Sequence, residues 1–141
     1  MQCVILAAGK GKRMLPLTES TPKPLVKVAG ETILDHIVKA LPAEVTELIL
    51  VVGYLSEQIR DYCGEEFHGR SVKYVEQADF AGGTGDALLQ AKDLITGKFL
   101  FMYADDLHGS DALKRVVREE HAMLGMRSDT PERFGVLVQN E

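Results

Sequence analysis

Short apolar runs alternate with segments of helical periodicity along this chain. The runs are nearly continuous rather than interrupted at every second residue, which is typical of strands that are covered on both faces. Between them, residues 33–41 and 87–95 place apolar side chains at helical spacing. This alternation predicts an α/β domain of Rossmann-like, three-layer form with a mostly parallel sheet. The predicted strands are residues 2–7, 46–52, 71–75, 98–103 and 134–138.

Length and composition fit a globular protein. With 141 residues, 45% of them hydrophobic and 26% charged, residues 1–141 are expected to form a single domain with a buried core. The net charge of −5 argues against a nucleic-acid partner, which requires an excess of cations. The sequence contains neither an apolar run of membrane-spanning length nor the features of a signal peptide. We therefore expect a cytoplasmic protein without a membrane partner.

Two further helices are predicted from residues that favour helix ends. Ser56 is the predicted N-cap of a short helix that runs to Tyr62, and Gly64 is its predicted stop. Ser110 is the predicted N-cap of a second helix. The apolar residues of this second segment are predicted to face the core, and they are Leu113, Val116, Val117 and Leu124.

A glycine-rich, cationic loop follows the first predicted strand. Gly9 and Gly11 can adopt positive φ and lack a Cβ, so they allow a sharp turn that brings backbone N–H groups close to an anion. Lys10 and Lys12 add positive charge, and Arg13 adds a planar fork that suits two phosphate oxygens. The loop therefore predicts a polyphosphate site, and in α/β sheets such sites lie beyond the carboxyl ends of the strands.

Two other glycine-rich nucleotide loops are excluded by sequence. The dinucleotide-binding pattern G-x-G-x-x-G requires a third glycine where this chain has Met14. The pattern G-x-x-x-x-G-K-[ST] of P-loop enzymes is absent. Neither a nicotinamide-dependent oxidoreductase nor a P-loop hydrolase is supported.

Longer stretches of the chain resemble the sugar-phosphate nucleotidylyltransferases, of the glucose-1-phosphate thymidylyl- and uridylyltransferase type. The resemblance covers the N-terminal, nucleotide-binding part of those enzymes and extends along the whole chain. The resemblance implies that this chain has a truncated form of the family fold, which corresponds to its N-terminal part. The matching stretches are LAAGKGKRMLPLT at 6–18, PKPLV at 22–26, Gly30, Gln77, GTGDAL at 83–88 and YADD at 103–106.

That resemblance implies a reaction and its substrates. Members of the family join a nucleoside triphosphate to a sugar 1-phosphate and release pyrophosphate, with Mg²⁺ as the cofactor. The stretch from Gly83 to Ala87 favours UTP or dTTP. Homo-oligomer formation and the identity of the sugar are left open. The alternative is a non-catalytic nucleotide-binding or regulatory module, or an inactive fragment, of the same fold.

The resemblance also assigns roles to individual residues. Arg13 and Lys23 are the implied catalytic residues: Arg13 stabilises the departing pyrophosphate, and Lys23 contacts the phosphates at the reacting centre. Asp105 is the implied Mg²⁺ ligand, although the preceding residue is Ala104 where the family more often has glycine. The implied nucleotide-binding residues are Leu6, Ala8, Gly9, Gly11, Lys12, Gln77, Gly83 and Thr84.

Ordinary structural roles remain open for several of these residues. Lys23 lies between Pro22 and Pro24, and without the preceding motif it would be interpreted as an exposed lysine in a rigid turn. Asp105 and Asp106 also suit a solvated turn. Gln77 and Gly83 are implied to recognise the base, but their spacing is one residue longer than in the relatives. Gly82 is therefore an alternative to Gly83.

Overall fold

The computed structural model describes residues 1–77 and 83–130. These residues form seven strands and four α-helices. The strands are β1 (Gln2–Leu6), β2 (Lys27–Val28), β3 (Glu31–Thr32), β4 (Glu47–Val52), β5 (Glu66–Phe67), β6 (Arg70–Glu76) and β7 (Phe99–Tyr103). The helices are α1 (Ile33–Ala40), α2 (Ser56–Cys63), α3 (Gly83–Gln90) and α4 (Ser110–Val116).

Five of the strands form one mostly parallel sheet in the order β5-β6-β4-β1-β7. The β1–β4, β1–β7 and β4–β6 pairs are parallel, and only the short β5 runs antiparallel to its neighbour β6. The chain adds strands on one side of β1 and then returns to add β7 on the other side. This reversal of strand order beside β1 creates the kind of crevice in which open α/β sheets bind ligands.

Both faces of the sheet are covered, as the continuous apolar runs predicted. On one face, side chains from β1 and β4 such as Cys3 and Leu48 pack in a core that includes residues of α1, α2 and α4. On the other face, Val4 and Ile49 pack with Ala87 of α3. All four of these strand residues are fully buried. The three-layer α/β arrangement is thereby confirmed.

Helix α1 begins with a buried hydrogen-bond network centred on Asp35. Thr32 and Asp35 form a capping box, in which the Asp35 N–H donates to Thr32 Oγ1 and the Thr32 N–H donates to Asp35 Oδ2. The hydroxyls of Thr32 and Tyr62 each donate to Oδ2 over 2.7 Å, and His68 Nε2 donates to Oδ1 over 2.7 Å. Burial raises the pKa of Asp35, but hydrogen bonds from Thr32, Tyr62 and His68 lower it by more, so the pKa lies well below its ordinary value.

Two tight hairpins were not predicted from the sequence. Strands β2 and β3 are joined by Ala29 and Gly30, and β5 and β6 are joined by His68 and Gly69. All four turn residues have positive φ, as the two-residue turns of hairpins require. Strands β2, β3 and β5 have only two residues each, which is too few to produce a readable alternation of polar and apolar residues.

The predicted helix caps were wrong in detail. Ser56 and Ser110 are the first helical residues, and the N-cap positions belong to Leu55 and Gly109, neither of which makes a side-chain capping hydrogen bond. The prediction for Gly64 is confirmed, because its N–H closes α2 by donating to the Arg60 carbonyl over 2.8 Å.

Helix α4 is also too short to include all of the residues that were predicted to form its apolar face. Leu113 is buried and Val116 and Val117 are partly buried, but the helix ends at Val116, and Leu124 is 38% exposed rather than directed into the core. The predicted strand at 134–138 lies outside the described residues. None of the helices in residues 1–77 and 83–130 combines the length and the apolar composition needed to cross a membrane.

Candidate functional site

A cleft of about 590 Å³ opens at the carboxyl ends of β1, β6 and β7. Backbone hydrogen bonds just beyond the sheet join these strand ends to the strands beside them. The Ala104 N–H donates to the Leu6 carbonyl over 3.0 Å, and the Gln77 N–H donates to the Val52 carbonyl over 2.9 Å. The cleft therefore sits on a fixed base and extends to both sides of β1, including the side on which the strand order reverses.

Gly11 brings the cationic loop against the neighbouring chain. It has φ +60° and precedes a 3₁₀ turn formed by Lys12–Met14. A Cβ at this position would lie 3.0 Å from Thr18 Cγ2 and 3.2 Å from Lys23 Cβ. The buried Thr18 hydroxyl donates to the Gly11 carbonyl over 2.9 Å and fixes the turn. Gly11 is thus required both for its left-handed backbone and for its lack of a side chain.

The rest of the loop is exposed to the cleft and to solvent. Gly9 does not use the left-handed conformation that the sequence allowed, and no atom lies within 4 Å of where its Cβ would be. Lys12 and Arg13 lie on the exposed 3₁₀ turn at the rim. Ala8 is buried at the base of the cleft, and its carbonyl accepts a hydrogen bond from the Tyr54 N–H over 3.1 Å.

Lys23 projects into the cleft from a second 3₁₀ turn. Pro22 and Pro24 on either side are both buried, which anchors the backbone while the Lys23 side chain stays partly exposed. Its ammonium group forms an ion pair and hydrogen bond with the Asp105 carboxylate, which lies just beyond β7. The Lys23 and Asp105 side chains are 24% and 38% exposed. The structure thus joins two residues that are 82 positions apart in sequence.

The opposite wall contains a buried amide. Gln77 follows β6 and is only 6% exposed. Its Nε2 lies 3.3 Å from the Gly83 carbonyl and 3.3 Å from Asp86 Oδ2. Gly83 has φ +70° and begins α3, and Thr84 is exposed in the first turn of this helix.

Every residue to which the resemblance assigned a catalytic, nucleotide-binding or metal-binding role lines this cleft. Gly82, the alternative to Gly83, lies outside the described residues. Asp106 does not line the cleft, and its N–H closes a turn on the Tyr103 carbonyl over 3.3 Å. The lining residues from the predicted set are Leu6, Ala8, Gly9, Gly11, Lys12, Arg13, Lys23, Gln77, Gly83, Thr84 and Asp105.

Sequence reasoning missed some of the lining residues. Tyr103 lines the cleft with 40% of its surface exposed, and its ring makes an edge contact with Phe101 at a centroid distance of 5.4 Å. Its place as the last residue of a strand that ends in the cleft was the available signal. Asp86 does not itself line the cleft, and its contact with Gln77 could not be inferred from the sequence.

The cleft has a mixed chemical character. It offers cations on the β1 side, a carboxylate at β7 and an amide at β6. No cluster of three or more His, Cys, Asp or Glu side chains suited to a metal ion occurs within the described parts of the chain. Asp105 is accordingly the one predicted carboxylate ligand that reaches this cleft from residues 1–77 and 83–130.

Solved structures share this fold. A UTP-bound UGPase from Acinetobacter baumannii superposes with a TM-score of 0.70 over 83% of this chain and 51% of that protein, at 22% identity. A UDP-glucose pyrophosphorylase complexed with UDP-glucose gives a TM-score of 0.69 over 83% of this chain and 52% of that protein, at 24% identity. The front half of these proteins therefore has the same fold.

Sequence comparison identifies the family. The bifunctional protein GlmU of Methanococcus maripaludis is 38% identical over 97% of this chain and 32% of its own length. The UTP–glucose-1-phosphate uridylyltransferase AglF of Haloferax volcanii is 38% identical over 100% of this chain and 61% of its own length. The chain spans about a third of the length of the curated GlmU relatives that it matches. The family model described as nucleotidyl transferase matches residues 2–141, and the chain therefore belongs to the nucleotidyl transferase family.

Proposed function

We propose that the cleft binds a nucleoside triphosphate and transfers its nucleoside monophosphate to a sugar 1-phosphate, with release of pyrophosphate. One observation carries this proposal. A single cleft in a nucleotidyl transferase chain collects a glycine-rich cationic loop, a lysine, a carboxylate and a buried amide from separate strand ends. Nucleotidyl transfer depends mainly on positioning and charge neutralisation, and these are the groups that such chemistry needs.

The β1 loop is the proposed triphosphate site. Its exposed backbone at Gly9 leaves room for phosphate oxygens, the turn at Gly11 shapes the loop, and Lys12 and Arg13 lie beside it. Negative charge builds on pyrophosphate as it departs from the α-phosphorus. Because the Arg13 guanidinium can bond two oxygens at once, it is suited to stabilise that leaving group.

Lys23 and Asp105 are the proposed groups at the reacting phosphorus. The Asp105 carboxylate is partly exposed and already accommodates one cation, the Lys23 ammonium, so its donor chemistry fits Mg²⁺, a hard cation that prefers oxygen ligands. When bound, Mg²⁺ neutralises charge on the phosphate oxygens. Lys23, once its ammonium group leaves Asp105, would contact the phosphates at the reacting centre and oppose the increase in negative charge there.

UTP is the favoured nucleotide. Gln77 and Gly83 form the wall at which the base is proposed to bind. AglF is named for UTP and glucose 1-phosphate, and two structural neighbours are a UTP-bound UGPase and a UDP-glucose pyrophosphorylase complexed with UDP-glucose. These names support a uridine nucleotide and glucose 1-phosphate as the first pair to test, with dTTP as the alternative nucleotide.

Isothermal titration and a pyrophosphate-release assay test the proposal. The chain is titrated with UTP and with dTTP in the presence of Mg²⁺, and release is then measured with glucose 1-phosphate as acceptor. We expect binding of at least one nucleotide and release that depends on the acceptor. A chain that binds neither nucleotide would contradict the proposal.

Nucleotide binding without turnover is the second candidate function. The observation that favours it is the Lys23–Asp105 ion pair, in which the two groups proposed to act on the phosphates neutralise each other. In that case the titration shows binding of UTP or dTTP, and no pyrophosphate is released. The same pair of assays therefore separates the two candidates.

A further inference from the structure

The Gln77 amide is held in one orientation by its partners. At one end, its Nε2 contacts the Gly83 carbonyl and Asp86 Oδ2, each at 3.3 Å. A backbone carbonyl and a carboxylate can only accept hydrogen bonds, so the amide end that faces both must be the NH₂ group. Within residues 1–77 and 83–130, the side-chain hydrogen bonds of Gln77 use this Nε2 end alone.

Asp86 is itself fixed by the helix on which it lies. It occupies the first turn of α3, where a negative charge is favoured by the helix dipole. Its second oxygen, Oδ1, accepts a hydrogen bond from Gln90 Nε2 over 3.3 Å, one turn further along the helix. Gln90, Asp86 and Gln77 thus form a directed chain in which each amide NH₂ group points to the carboxylate between them.

We propose that Asp86 is a positioning residue that sets the base preference of the cleft by holding the oxygen of the Gln77 amide as an acceptor for the base. This inference rests on the proposed function. Gln77 is 6% exposed and lines the cleft, and turning its amide over would set Oε1 against the Gly83 carbonyl and the Asp86 carboxylate. With the NH₂ end held by Asp86 and Gly83, the remaining group of the amide is Oε1.

An acceptor at this point selects bases that carry a ring N–H donor. Uracil and thymine have a proton on N3, whereas cytosine has a lone pair on N3. The lone pair of cytosine would face the lone pairs of Oε1, which leaves two acceptors opposed and unpaired. The Asp86–Gln77 contact therefore favours uridine or thymidine nucleotides over cytidine nucleotides. It does not discriminate between UTP and dTTP, because both carry the N3 proton.

Asp86→Asn is the informative substitution. It preserves the size of the side chain but replaces one acceptor oxygen by an NH₂ group, so the Gln77 amide is no longer held in a single orientation. The matched control is Asp111→Asn, which changes a carboxylate in the first turn of α4, where its neighbour is Lys114 at 3.4 Å and the cleft is not involved.

Calorimetric titration with UTP and with CTP, both with Mg²⁺, measures the preference. We expect the unsubstituted chain and Asp111→Asn to bind UTP more tightly than CTP. In Asp86→Asn the ratio of the two affinities should fall by about three- to tenfold, the range expected for one hydrogen bond. Equal affinities in the unsubstituted chain, or an unchanged ratio in Asp86→Asn, would overturn the inference while leaving the proposed function intact.

A measurement without nucleotide tests the amide orientation directly. In NMR spectra of the unliganded chain, the Gln77 side-chain NH₂ signals should shift in Asp86→Asn and remain in place in Asp111→Asn. Unmoved signals in Asp86→Asn would overturn the contact on which the inference depends. Failure to bind either nucleotide, with the NMR shift present, would instead overturn the proposed function and with it the base preference.

Discussion

Asp35 and Asp105 lie in two regions that use a carboxylate in opposite ways. Asp35 is 7% exposed, and its oxygens accept hydrogen bonds from Thr32, Tyr62 and His68, so its bonding capacity is taken up inside the chain. The Asp105 side chain is 38% exposed and is paired with one flexible ammonium group, that of Lys23. A carboxylate that is enclosed by donors stabilises the fold, whereas one left open in a cleft is available to a ligand.

The largest expected effect is on turnover at the open site. Lys23→Ala should lower acceptor-dependent pyrophosphate release by about 100- to 1000-fold, because the charge it supplies matters most as negative charge builds on the phosphates. The free energy of unfolding should change by less than about 1 kcal/mol, since the ion pair it loses is partly exposed. Release rates and urea unfolding measure the two quantities. Lys27→Ala, an exposed lysine on β2, is the control.

Normal release by Lys23→Ala would remove this residue from the reacting centre. A loss of release accompanied by a large loss of stability would instead place Lys23 among residues that hold the fold, as Asp35 does. The control should change neither quantity, because Lys27 does not line the cleft.

The next largest effect is on stability at the enclosed site. Asp35→Asn replaces one acceptor oxygen by a donor that opposes the hydrogen bonds from Thr32, Tyr62 and His68. We expect a loss of about 2–3 kcal/mol in the free energy of unfolding, the cost of leaving donors unsatisfied around a buried group. Denaturant unfolding monitored by circular dichroism measures it. A loss below about 0.5 kcal/mol would show that the network contributes little.

These two regions were not equally predictable from sequence. The parallel strands and the site loop were predicted because both depend on local patterns, continuous apolar runs in one case and a glycine-rich motif in the other. The Asp35 network was not predicted, because its donors Thr32, Tyr62 and His68 come from three separate segments that only the folded chain brings together.

The backbone conformation of individual residues was the second reason why parts of the fold were not predicted. Leu55 and Ala29 adopt positive φ, which is unfavourable for residues with a side chain, so nothing in their chemistry indicated a helix cap or a hairpin turn. The Lys23–Asp105 contact was out of reach for a similar reason, since the two residues were placed in the site separately and their pairing depends on how β7 lies beside β1.

Gly11→Ala should have an effect of intermediate size, and it should reduce both stability and nucleotide binding. A Cβ would meet Thr18 and Lys23 in a left-handed backbone, so we expect a loss of about 1–2 kcal/mol in unfolding free energy together with weaker UTP binding. The control is Gly69→Ala, where φ is +73° but no atom lies within 4 Å of the added Cβ. Equal behaviour of the two variants in unfolding and calorimetry would argue against a role for close approach at Gly11.

Lowering the pH should reduce the contribution of Asp35 to the free energy of unfolding, by a smaller amount than the substitutions above. The pKa of Asp35 is lower in the folded chain than in the unfolded chain, so its contribution to stability is complete above its unfolded value, near pH 4, and is lost as the pH falls toward its folded value. Between pH 7 and pH 4 the loss from this group should be a few tenths of a kcal/mol. The unfolding free energies of the unsubstituted chain and Asp35→Asn should converge as the pH falls. Parallel curves would contradict the lowered pKa.

The smallest effect on stability is expected for Asp105→Asn, the counterpart of Asp35→Asn at the open site. Asp105→Asn removes one partner of an exposed ion pair, and such pairs contribute between about 0 and 1 kcal/mol, so the urea unfolding curve should barely move. The response to Mg²⁺ should change nevertheless, because a neutral amide is a weaker ligand than a carboxylate for a hard cation. Pyrophosphate release titrated with Mg²⁺ should therefore saturate at higher metal concentration in the variant. An unchanged metal titration would exclude Asp105 as a ligand, and a loss of stability comparable with that of Asp35→Asn would mean that exposure does not distinguish the two carboxylates.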